Sequence, residues 1–112
     1  MQRDLAHLVD IHQAARLAMS YVQGMTKEAF LGDVQCQDSV VRRIEIIGEA
    51  ARRVSPEGKA AWPGLPWNDM VRMRNRVIHE YDDVDYEIVW HTVQKDLPRL
   101  ALQIEPLLPP ER

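Results

Sequence analysis

Apolar residues recur every three or four positions along almost the whole chain, and this period limits the possible folds more than any other feature. Residues 4–23 form the first such segment, which Gly24 ends. The second follows Asp33 as N-cap and runs to about Val54, and the third runs from about Trp67 to residue 78 or 81. A fourth follows Asp85. The first apolar stripe contains Leu5, Leu8, Val9, Ala15, Met19 and Val22. A period near 3.6 residues predicts helices, and no segment shows a strand pattern.

The connections between these segments are short. The only stretch rich in proline and glycine is SPEGKAAWPGLP, residues 55–66, which has room for one helical turn at 56–61. Short connections between amphipathic helices predict an all-α fold, an up-and-down four-helix bundle with an additional short helical turn. We expect one helical domain over residues 1–108 and a frayed tail at 109–112. Gly48 on the second apolar face predicts a close helix contact, and Pro98 predicts a bend.

The composition restricts the cellular compartment and the kind of contact with nucleic acid that we expect. The chain has 112 residues, 46% of them hydrophobic, which suffices for a core without disulfides. A single cysteine, Cys36, favours a reducing compartment, and no apolar run is long enough for a membrane span. We therefore expect a soluble, cytoplasmic protein. The formal net charge is −3, so that any contact with nucleic acid should be local. The pairs Arg42/Arg43 and Arg52/Arg53 are interpreted as solvated helix faces.

The stretch RMRNRVIHEY, residues 72–81, departs from a simple amphipathic pattern. Arg74 falls near the middle of the apolar face and Tyr81 falls almost directly below it, whereas His79 lies about 140° away. Arg74 could extend along its own stem to water, pair with a buried carboxylate, or line a cleft. His79 could be an ordinary exposed histidine, and His12, inside the first apolar stripe, a hydrogen-bonded core histidine.

Arginine and histidine together favour a catalytic interpretation. An arginine binds phosphate and the charge that develops on phosphorus, and a histidine transfers protons near neutral pH. In principle these two groups suffice to cleave RNA without a metal ion: histidine takes the proton of the ribose 2′-OH, and a cyclic phosphate forms. A symmetric dimer would bring two copies of each group to one cleft.

The segment R-N-R-V-I-H-E-Y, residues 74–81, matches the Arg-x4-His-x-Tyr motif of HEPN-domain toxins, and specifically the HepT-like group. Three further segments resemble that group in the same order, and the resemblance covers nearly the whole chain. They are IEIIGEAARRVS at 44–55, PWNDMVRMRN at 66–75 and DVDYEIVWHTVQKDLP at 83–98.

The resemblance implies a toxin of a type VII toxin–antitoxin system. Arg74 and His79 would be the catalytic pair of a metal-independent ribonuclease without a cofactor, and Asn75 would support them. Tyr81 would be the regulatory position, to which an MntA-like minimal nucleotidyltransferase antitoxin transfers AMP from ATP. The AMP group would block RNA phosphate sterically and electrostatically. The resemblance also implies a homodimer with a composite cleft.

Two other functions stay open from the sequence. The chain could be a non-catalytic helical dimer that binds a nucleotidyltransferase, or a plain nucleotide-binding bundle. A metal site is not favoured, because His7 and His12 are five residues apart and an aspartate-rich turn with an N-cap accounts for residues 82–85. Trp62, Trp67 and Trp90 are interpreted as residues of the core or its edge.

Overall fold

The computed structural model describes residues 2–77 and 84–110, and they are almost entirely helical. The α-helices are α1 (Gln2–Tyr21), α2 (Lys27–Leu31), α3 (Val34–Arg53), α4 (Pro56–Ala61), α5 (Trp67–Val77), α6 (Tyr86–His91) and α7 (Leu97–Ile104). A π-helical segment joins α6 to α7, and a 3₁₀ turn follows α7. These described ranges contain no β-strand, which confirms the predicted all-α class.

Side-chain caps explain where several helices begin. Thr26, Asp33, Ser55 and Asp85 each accept a hydrogen bond from a backbone N–H in the first turn of the helix that follows. Such a bond satisfies an amide that has no partner within its own helix. Gly24, after α1, has a φ of +78°, a left-handed conformation that glycine adopts at little cost. The predicted caps at Asp33 and Asp85 are confirmed.

The fourth predicted helix is interrupted rather than only bent. After α6 the backbone forms a π-helical segment at Thr92–Asp96, and α7 then begins at Leu97. Pro98 explains the change, because it has no N–H and its ring would clash with the carbonyl of Gln94 in a regular α-helix. The wider π-turn removes this conflict.

The core lies where α1 packs against α3 and α7, and α3 against α5. The first apolar stripe differs from the predicted one, because Val9 is 39% exposed and the buried residues Ile11, Ala14 and Ala18 were not among its predicted members. Val9 lies about 100° around the helix from Leu8 and about 160° from Ile11, which are both fully buried. Ile11, Ala14 and Ala18 therefore shift the stripe away from Val9.

The three tryptophans lie at the edge of the core, as predicted. Each is half-buried and packs against the buried cluster. The rings of Trp90 and Phe30 have centroids 5.3 Å apart, and Trp67 Nε1 donates a hydrogen bond of 3.1 Å to the Trp62 carbonyl. These contacts account for the positions of the rings at the edge of the core.

A buried carboxylate joins α1 to the start of α4. Asp4 is 5% exposed and accepts two hydrogen bonds from Ser55, at 2.6 Å from the hydroxyl and at 2.8 Å from the backbone N–H. The Ser55 hydroxyl in turn accepts a hydrogen bond from the Gly58 N–H. The hydroxyl bond, and then the backbone bond, hold the pKa of the Asp4 carboxyl below its usual value.

The part of the chain that the structure describes contains no helix long and apolar enough to cross a membrane.

Candidate functional site

Helix α5 carries the arginine and the asparagine of the predicted site. It buries Met70 and Val77 against the core, while Arg72, Asn75 and Arg76 are exposed. Arg74 is half-buried between these two faces. The backbone of α5 therefore sets the position of Arg74 Cβ. The residues packed around Arg74 determine the direction of the rest of its side chain.

The stem of Arg74 lies directly on Gly48 of α3. A Cβ atom placed on Gly48 would be 2.7 Å from Arg74 Cβ, 3.0 Å from Cγ and 3.2 Å from Cδ. A real Cβ could not occupy that position unless the two helices moved apart, so the absence of a side chain on Gly48 makes room for the arginine. The predicted close approach at Gly48 is thus confirmed, and its partner is Arg74.

Asn75 orients the guanidinium of Arg74. Arg74 Nη1 donates a hydrogen bond of 3.2 Å to Asn75 Oδ1. Arg74 Nε is buried and has no hydrogen-bond partner within residues 2–77 and 84–110, and no carboxylate of those ranges lies within 4.0 Å of the group. The described residues thus supply no carboxylate to neutralise Arg74. An oriented cation of this kind can accept an anion such as phosphate.

The histidine and the tyrosine of the predicted site, His79 and Tyr81, lie outside the described residues, in the range 78–83. The structure thus describes Arg74 with Asn75, and the roles of His79 and Tyr81 stay predictions.

Other residues considered from the sequence show no comparable arrangement. His12 is half-buried, and its Nε2 is 3.8 Å from a Glu105 carboxylate oxygen and makes no hydrogen bond among the described residues. The predicted hydrogen bond of His12 is therefore absent at Nε2 among the described residues. Burial raises the pKa of the Cys36 thiol, which disfavours the reactive thiolate. In the described ranges, no three potential metal ligands are grouped.

The arginine pairs of α3 follow the predicted pattern, except at Arg43. Arg42, Arg52 and Arg53 are exposed, and Glu49 forms ion pairs with the last two at 3.9 Å and 3.5 Å. Arg43 is half-buried, and its Nε makes no hydrogen bond within the described part of the chain. The period of α3 did not indicate this burial, which arises from the packing around the helix.

The structure also has a groove between α5 and α7 that the sequence did not predict. Its lining includes Arg72 and Arg76 from α5 and Arg99 from α7. Arg72 and Arg76 belong to the stretch RMRNRVIHEY, in which the sequence singles out Arg74, His79 and Tyr81. No spacing rule could connect them with Arg99, because the two helices meet only in the tertiary structure.

Comparison with known proteins finds a ribonuclease family model and relatives that are named as ribonucleases. A family model described as "Ribonuclease HepT-like" matches residues 11–107. A protein of Thermococcus cleftensis named "Probable ribonuclease HepT" is 39% identical over 101 residues, which are 90% of this chain and 92% of that protein. A protein of Caldanaerobacter subterraneus named "Putative RNase TTE0752" is 33% identical over the full length of both chains. No solved structure matches the chain.

Proposed function

The chain belongs to the HepT-like ribonuclease family, and on this premise we propose that it is a metal-independent endoribonuclease with Arg74 and His79 as its catalytic pair. The observation that carries the proposal is the setting of Arg74. Its stem packs on Gly48, Asn75 accepts a hydrogen bond from its guanidinium, and no carboxylate among the described residues neutralises it. This is the kind of fixed cation that stabilises charge on phosphorus.

The proposed reaction needs one proton acceptor and one fixed cation. His79 takes the proton of the ribose 2′-OH, and the 2′-oxygen attacks the adjacent phosphorus. The bond from phosphorus to the 5′-oxygen breaks, and a water molecule protonates the departing 5′-oxygen. The products are a 2′,3′-cyclic phosphate and a free 5′-hydroxyl. Arg74 binds the non-bridging oxygens, whose negative charge grows in the transition state.

Regulation is part of the proposal. We assign the chain as the toxin of a type VII toxin–antitoxin system, with an MntA-like nucleotidyltransferase as antitoxin. The antitoxin transfers AMP from ATP to the Tyr81 hydroxyl and releases pyrophosphate. Tyr81 is seven residues from Arg74, a spacing that predicts both side chains on one helix face. A phosphodiester at that position would compete with RNA phosphate for Arg74.

Cleavage of a labelled RNA in the presence of EDTA tests the catalytic proposal. We expect the parent protein to cut, and Arg74→Ala and His79→Ala each to lower kcat by at least about 100-fold. Arg16→Ala and His91→Ala are matched controls, because both side chains are exposed on other helices, and they should cut as the parent does. If both site variants cut at the parental rate, the assignment of Arg74 and His79 is wrong.

Intact mass tests the regulatory proposal separately. The protein is purified with and without its nucleotidyltransferase and ATP, and peptides covering residues 72–86 are mapped. We expect added mass in units of AMP on Tyr81 only when the partner is active. An unmodified Tyr81 under those conditions would exclude AMPylation there. A protein that binds the nucleotidyltransferase but cuts no RNA would instead support a non-catalytic helical dimer.

A further inference from the structure

A groove of about 410 Å³ runs between α5 and α7, on a different face of α5 from Arg74. Its floor is apolar and is formed by Met70, Met73 and Leu100. Met70 and Leu100 belong to the core, with 1% and 4% of their surface exposed. These two residues are almost fully covered by the core, so the half-buried Met73 is the floor residue against which a flat apolar group could pack.

Arginines from both helices line the same groove. Arg72 and Arg76 come from α5, and Arg99 comes from α7. Arg72 forms an exposed ion pair with Asp69 at 3.8 Å. Within residues 2–77 and 84–110, neither Arg76 nor Arg99 has a carboxylate oxygen within 4.0 Å. Two aspartates, Asp69 and Asp96, also line the groove, so its three arginines leave a net charge of +1 there, on a chain whose formal net charge is −3.

We propose that this groove binds the single-stranded RNA substrate beside the cleaved bond, with phosphates on Arg76 and Arg99 and a base on Met73. The inference rests on the proposed ribonuclease function and adds a binding site to it. Guanidinium groups bind phosphate oxygens through two parallel hydrogen bonds, and any of the four bases can pack its flat face on an apolar surface. The site would therefore bind single-stranded RNA without reading its sequence.

The position of the groove fits a strand that also reaches Arg74. Arg72 and Arg76 are each two residues from Arg74, so they lie only about 3 Å from it along the helix axis. They point about 160° away from it around that axis. A strand held at Arg74 thus needs to cross one helix, about 10–12 Å wide, to enter the groove. Asn75, exposed and bonded to Arg74, lies on that path.

Binding of a non-cleavable RNA tests the groove apart from catalysis. The probe is a fluorescent single-stranded 2′-O-methyl oligoribonucleotide of mixed sequence, which lacks the attacking 2′-OH. Its Kd is measured by anisotropy over a range of salt concentrations for the parent and for Arg76→Gln/Arg99→Gln. The control is Arg3→Gln/Arg16→Gln, which removes the same charge from exposed positions of α1, a helix that packs mainly on α3 and α7.

We expect the groove variant to bind about tenfold more weakly. The slope of log K against the logarithm of the salt concentration should be smaller in magnitude by about 1.4, for two lost phosphate contacts. The control should bind within about twofold of the parent. Equal weakening in both variants would mean that only net charge matters, and unchanged binding in the groove variant would exclude the site. Retained RNA binding with loss of nucleotidyltransferase binding would reassign the groove to that protein.

The same set of proteins separates this inference from the proposed function. If the parent neither binds nor cuts RNA, the ribonuclease proposal fails and the groove proposal fails with it. If the parent cuts RNA and Arg74→Ala abolishes cutting, while Arg76→Gln/Arg99→Gln binds the probe as the parent does, only the groove proposal fails.

Discussion

At the scale of single residues, the position of Arg74 depends on the absence of a side chain at Gly48. Arginine has a long flexible stem, and a cation that must meet a phosphate needs that stem to be held. Gly48 packs against Cβ, Cγ and Cδ of Arg74, and the hydrogen bond to Asn75 fixes the end of the side chain. Together the two contacts restrict the stem and the guanidinium.

Substitution of Gly48 tests this positioning role. Gly48→Ala forces Arg74 and α3 apart, so we expect the free energy of unfolding to fall by about 1–3 kcal/mol. With Arg74 displaced, kcat for RNA cleavage should fall by about 100-fold. Gly64→Ala is the control, because no atom lies within 4 Å of the added methyl group there. Parental cleavage by Gly48→Ala would show that catalysis tolerates a displaced Arg74.

Asp4 allows a prediction about pH. Its folded-state pKa is lowered by the bonds from Ser55, relative to about 3.8 for the free side chain. Its contribution to stability is therefore complete above that value and is lost as the pH falls through the folded-state pKa. Urea denaturation should show Asp4→Asn less stable than the parent at pH 7.

The difference between the parent and Asp4→Asn should shrink along a pH series from 7 to 2. Asp10→Asn is a control at an exposed position of the same helix, and it should show little difference at any pH. A deficit of Asp4→Asn that stays constant over the whole series would mean that the charge of Asp4 does not stabilise the fold.

At the scale of elements, each long helix is set by its ends and by its apolar face together. The N-cap fixes where a helix begins, while the buried stripe fixes which side faces the core. Helix α3 shows both effects: Asp33 caps its first turn, and Val40, Ile44 and Ile47 are fully buried along its length. Since α3 also presents Gly48 to α5, its register determines where Arg74 rests.

Removal of the cap of α3 has a measurable cost. Asp33 Oδ1 accepts a hydrogen bond of 3.0 Å from the Cys36 N–H, and Asp33→Ala leaves that amide to water. We expect the free energy of unfolding to fall by about 1 kcal/mol, within a range of about 0.5–2. Asp38→Ala, at an exposed position inside the same helix, should change it by less than about 0.5 kcal/mol. Equal effects in chemical denaturation would argue against the cap.

At the scale of the whole molecule, the homodimer that the family resemblance predicts would set how many catalytic groups share one cleft. One Arg74 and one His79 per chain make a small site, and two-fold symmetry would bring a second copy of each. If the cleft combines groups from both protomers, the activity of the site depends on assembly. This gives a prediction that a monomeric site would not share.

Mixing two inactive variants tests the shared cleft. Arg74→Ala and His79→Ala are unfolded together and refolded at equal concentrations, so that mixed dimers form. We expect partial recovery of RNA cleavage, well below the parental rate, because only mixed dimers hold one intact arginine and one intact histidine in the same cleft. Each variant refolded alone should stay inactive. A mixture that dimerises but recovers no activity would place each site within one protomer.

The sequence by itself determined the helical class, most helix boundaries and the family, because these depend on local period, capping residues and motifs that lie within one segment. It also indicated that Gly48 meets another helix. Only the tertiary structure decided that this partner is Arg74, that Asp4 accepts hydrogen bonds from Ser55, and that Arg99 joins Arg72 and Arg76 at one groove. These contacts join residues distant in the chain, and their geometry follows from how whole helices pack, which no local pattern specifies.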